Sequence, residues 1–68
     1  MKEGTVKWFN NAKGFGFINP DDQATLDVFA HFTEIQAEGF RGLKHGQRVT
    51  FEMVKSTNGF HAHKISIV

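Results

Sequence analysis

With 68 residues, no cysteine and a formal charge of +1, the chain has room for one small domain and excludes both a disulfide framework and any zinc site built on thiolates. Eight Lys and Arg against seven Asp and Glu leave too little positive charge for nucleic-acid binding driven by phosphate contacts alone. The outlying feature is aromatic: eight Phe and one Trp with no Tyr, beside seven Gly and one Pro.

Turn signals recur at short intervals, with no repeat, linker or low-complexity tract between them, which suits an all-strand barrel or sandwich. The first predicted strand, Thr5 to Asn10, places Val6, Trp8 and Asn10 on one face. Periodicity therefore leaves Trp8 open between core and surface, and Phe9 unassigned. Asn11-Ala12 leads into the second strand, Lys13 to Asn19, where Lys13, Phe15, Phe17 and Asn19 share one face and Gly14, Gly16 and Ile18 the other. Glycines on the inner face let a strongly curved strand close a tight barrel.

After a turn from Pro20 to Thr25, the third strand, Asp27 to Phe32, sets Val28 and Ala30 against Asp27, Phe29 and His31. The aliphatic set is the natural inner face, so Phe29 points outward between polar neighbours. Thr33 to Gly46 holds three Gly and at most one helical turn, with Thr33 as its cap and Ile35 turned inward. Phe32 and Phe40 are each either exposed rings or plugs under this segment. The fourth and fifth strands, Gln47 to Lys55 and Phe60 to Val68, are joined by Ser56-Thr57-Asn58-Gly59, whose Asn-Gly is a strong hairpin signal. The expected fold is an all-β, five-stranded antiparallel barrel of the oligonucleotide-binding (OB-fold) kind, one domain over residues 1–68, because closure removes exposed strand edges.

A core can be assembled from Val6, Ile18, Val28, Ala30, Ile35, Val49, Phe51, Met53, Ile65 and Ile67 without using Phe15, Phe17 or Phe29. Three phenylalanines on one polar face then form an exposed apolar patch, the mark of a binding site. A ligand suited to it is flat and apolar on its face, and a base stacked on an aromatic ring contributes about 1–3 kcal/mol. Lys7 and Lys13 flank the rings and could meet phosphates; for either alone, solvated surface lysine is the simpler reading.

Lys13-Gly14-Phe15-Gly16-Phe17-Ile18 resembles the first ribonucleoprotein motif and Val28-Phe29-Ala30-His31-Phe32 the second. In that order, with Gly4-Thr5-Val6-Lys7-Trp8-Phe9-Asn10 before them and Glu38-Gly39-Phe40 and Gly46-Gln47-Arg48-Val49-Thr50-Phe51 after, nearly the whole chain resembles the bacterial cold-shock protein family. The RNA recognition motif domain carries the two motifs in the opposite order and needs two helices, for which there is no room. The resemblance implies base-stacking roles for Trp8, Phe15, Phe17, Phe29, His31, Phe32 and Phe40, and polar contacts from Lys7, Asn10, Lys13 and Asp27. It also implies binding of single-stranded RNA and DNA, and action as an RNA chaperone or as a regulator of transcription or translation, often in the cold.

Three departures stand out: a lengthened, acidic Pro20 to Thr25 turn; Phe60, which either adds a stacking ring or covers the core; and His61 and His63, which leave the far edge of the site open. Phe60 and His61 are included among the candidate binding residues. His61-x-His63 has metal-ligand spacing on one strand face, yet neither a cysteine nor a convergent carboxylate supplies a third ligand, so no metal, cofactor or catalysis is expected. A groove for a proline-rich peptide is the other rival, weakened by the flanking lysines. Met1-Lys2-Glu3-Gly4 lacks a signal-peptide pattern and no apolar run approaches the roughly 20 residues that span a bilayer, so a cytoplasmic protein is expected, monomeric or else a strand-swapped dimer.

Overall fold

β-branched and aromatic residues at alternating positions build five strands in the computed structural model, which describes residues 1–36 and 42–68. They are β1 (Lys2–Asn10), β2 (Phe15–Pro20), β3 (Val28–His31), β4 (Arg48–Ser56) and β5 (Gly59–Ile67), closed into a barrel in the order β1-β2-β3-β5-β4. All neighbours pair antiparallel except β3 and β5, which close the barrel through a parallel pairing at Phe29↔His61 and Ala30↔Ala62. Single 3-10 turns follow β2 (Asp21–Gln23) and β3 (Phe32–Glu34). The expected helical turn after β3 therefore exists, but its cap is the His31 ring, which accepts from the Thr33 backbone N–H, and Thr33 lies inside the turn.

The interior is filled by Val6, Ile18, Val28, Ala30, Ile35, Leu43, Val49, Phe51, Ala62 and Ile65. Eight of these match the core expected from alternation. Leu43 was not expected there, because it sits on no strand. Asn11 holds it in place, its amide accepting from Leu43 N–H at 3.1 Å and donating to Leu43 C=O at 3.3 Å. Met53 is only half-buried and packs against the core from outside. Ile67, still paired with Val49 at the end of β5, is 50% exposed.

β1 and β2 pair at Phe9↔Gly16. A Cβ on Gly16 would collide with the Trp8 carbonyl oxygen and sit 2.6 Å from Phe9 Cα, so the pairing requires glycine for lack of space. Gly16→Ala should lower the unfolding free energy by about 1–3 kcal/mol or more, read as an earlier denaturant midpoint at unchanged slope.

Candidate nucleic-acid interface

The register of the barrel lines up one aromatic row across four strands. Trp8 on β1 faces Phe17 on β2, Phe17 faces Phe29 on β3, and Phe29 faces His61 on β5. Adjacent ring centroids in this row lie 5.5, 5.8 and 5.4 Å apart. A second row pairs Phe15 with His31. Phe15 stacks on Phe29 at 6.0 Å with 24° between planes, and His31 leads on to Phe32 at 4.8 Å. Seven rings thus form one connected outer surface, as large as a short run of bases needs.

Trp8 belongs to this surface because β1 breaks register at Lys7, between Val6↔Ile18 and Trp8↔Phe17. Without the break Trp8 would follow Val6 inward. With it, the indole is 41% exposed and Phe9 turns toward the core instead. Phe32 is also exposed, its ring lying over Gly14, which adopts φ +81 and accepts from Phe32 N–H at 2.8 Å. Phe60 does not join the surface. It shares parity with Ala62 and, half-buried, packs against the core. Phe40 lies outside the described residues.

The polar candidates divide. Lys13 is exposed in the β1–β2 turn, whereas the Asn10 side-chain oxygen accepts from Lys13 N–H at 2.9 Å and so shapes that turn. Lys7 is paired with Asp27 at 3.0 Å, and Asn19 donates to the same carboxylate at 2.7 Å. The hydrogen bond from Lys7, followed by that from Asn19, holds the Asp27 carboxyl below its ordinary value. In the lengthened acidic turn, Asp21 receives both arms of Arg48 at 2.6 Å and Asp22 takes Lys2 at 2.8 Å. These carboxylates tie cations of the barrel wall and do not reach the rings.

His61 tilts against Phe29, while His63 stands 3.3 Å from Glu34. Among the described residues, no group of three or more His, Asp or Glu side chains is arranged to hold a metal ion, and no helix is long and apolar enough to cross a membrane. His63, which the sequence left open at the far edge of the site, borders the aromatic surface, as do Glu34 and Asn58, to which sequence reasoning gave no role there. Asn58 and Glu34 lie in turns, where no periodicity marks the outer face.

A closed five-stranded barrel with rings aligned across its strands defines an oligonucleotide-binding barrel. The chain belongs to the family described as the 'Cold-shock' DNA-binding domain, which it matches over residues 2–68. It is 54% identical over 65 residues to "Cold shock-like protein CspD" of Haemophilus influenzae, covering 96% of this chain and 89% of that protein. It is 58% identical over 59 residues to "Probable cold shock protein A" of Mycolicibacterium smegmatis, covering 87% of each. A solved structure described as "drosophila Unr CSD456" superposes with a TM-score of 0.79 at 24% identity, over 98% of this chain and 26% of the other; that likeness concerns the fold.

Proposed function

We propose that the protein binds single-stranded RNA and single-stranded DNA with low sequence preference, by stacking successive bases on Trp8, Phe15, Phe17, Phe29, His31, Phe32 and His61, with Phe40 extending the run. The observation that carries this reading is the row Trp8, Phe17, Phe29, His61, one ring from each of four adjacent strands, facing outward. Every base has an apolar face, so such a row accepts any sequence, while a duplex hides those faces. Lys13, and Lys7 once released from Asp27, meet the phosphates. Residues 1–68 act as one domain and as a monomer, a binding protein and not an enzyme, in the cytoplasm. There the protein keeps transcripts single-stranded or regulates transcription or translation, in the manner its cold-shock relatives suggest.

Titration with oligothymidine should quench Trp8 emission, and a matched duplex should bind at least about tenfold more weakly. Equal affinity for the two would sink the stacking mechanism.

A further inference from the structure

Phe29 and His61 form a wall between two hollows on the aromatic surface. One is lined by Phe17, Phe29, Asn58 and His61. The other, about 280 Å³, has Phe29, His31 and His61 on its aromatic side and Thr33, Glu34 and His63 opposite. The second differs from the first in holding a carboxylate.

That carboxylate is fixed. The 3-10 turn carrying Glu34 is held by Ile35 N–H on the Phe32 carbonyl at 3.1 Å, and by His31 Nδ1, which lies 2.9 Å from Thr33 Oγ1. From β5, His63 Nδ1 stands 3.3 Å from Glu34 Oε1, and Lys64 N–H donates to the same oxygen at 3.4 Å. Lys64 reaches it because β5 bulges there: Glu52 pairs with His63 but Thr50 with Ser66, and Lys64 takes φ 52. A left-handed conformation at a residue other than glycine is unfavourable by about 1–2 kcal/mol. Bulges beside sites serve to re-aim groups, and this one turns a backbone donor onto Glu34.

An anchored carboxylate beside a stacking wall repels a nucleic acid unless the base brings donors to it. Guanine brings two adjacent ones, N1–H and the N2 amino group, which match the two oxygens of a carboxylate. Cytosine offers one donor followed by two acceptors, adenine one donor beside an acceptor, and thymine or uracil one donor between two acceptors. Resting on the stacking function above, we propose that this hollow is a guanine-reading slot. The base stacks on the Phe29 and His61 wall and donates N1–H and N2–H to Glu34, with His63 and the Lys64 N–H positioning the carboxylate.

The test is a set of thymidine heptamers, unsubstituted or carrying a single guanine at each position in turn, titrated against the intact protein by Trp8 fluorescence. Guanine at one position should raise affinity about five- to tenfold, the low end for a two-bond base contact. Inosine there, which lacks the N2 amino group, should keep only part of the gain. Glu34→Gln, which puts an amide donor where a second acceptor is needed, should abolish it while leaving heptathymidine binding equal or slightly tighter. Heptathymidine binding without a guanine step at any position would overturn the slot alone. So would a step that survives Glu34→Gln, or a full gain with inosine. If heptathymidine does not bind at all, the stacking function falls and the slot with it.

Discussion

Phe51→Ala should leave most of the chain unfolded, whereas Phe29→Ala should leave it folded and weaken oligothymidine binding by about 1–3 kcal/mol. The two phenylalanines are chemically identical and sit on strands separated only by β5, yet one is fully buried among Val, Ile and Leu and the other lies on the outer aromatic surface. Truncating a core Phe typically costs about 3–5 kcal/mol, and a domain of this size rarely has more than about 3–5 kcal/mol to lose. Phe29→Ala removes outer ring contacts with Phe15, Phe17 and His61, so its stability loss should be real but smaller. Denaturant unfolding and Trp8 titration of both variants check this. A Phe29→Ala protein that unfolds as readily as Phe51→Ala would refute the assignment of faces.

Binding should be only mildly salt-dependent, losing roughly twentyfold for a fourfold rise in salt, and Asp27→Asn should raise affinity at low salt. If Lys7, Lys13 and one further cation meet about three phosphates, the log–log slope is near −2, since single strands give about −0.7 per phosphate. In the free protein, however, Lys7 is held by Asp27. The depressed Asp27 carboxyl keeps its charge at neutral pH, and the pair opens only as pH falls through that lowered value. A phosphate must therefore displace a carboxylate before it gains Lys7. Removing the charge with Asp27→Asn should raise low-salt affinity without adding a phosphate contact, while Lys13→Gln should flatten the slope by up to about 0.7. Phe29→Ala should lower affinity at every salt concentration and leave the slope unchanged. A slope steeper than about −5 would show that phosphates and not rings carry the affinity.

Alternation was enough to place Phe15, Phe17 and Phe29 outside, where aliphatic residues or glycines hold the opposite parity, and Phe51 inside, where Val49 and Met53 share its own. It failed for Trp8 because one register break, at Lys7, reverses the parity beyond it, and nothing in a six-residue window reveals such a break. The family resemblance supplied what periodicity could not for Trp8 and Phe32. Leu43 and Glu34 were illegible for a different reason: both are positioned by contacts far along the chain, from Asn11 and from His63 with Lys64. Phe60 is open in the sequence because the β5 bulge at Lys64 reverses parity, so that Ala62 and Ile65 both face inward and Phe60 follows Ala62.

The parallel joint between β3 and β5 rests on two register pairs, far fewer than link β4 to β5 or β1 to β2, and Phe29 and His61 stand opposite each other across it. A base packed against both rings would span this seam as a staple spans a torn edge. Free protein should breathe there first, since the least-connected pairing of a small barrel opens at the lowest free energy. Any strand held across it adds its binding free energy to that of the fold. For a domain with so little stability of its own, the nucleic acid is then a structural component as much as a ligand.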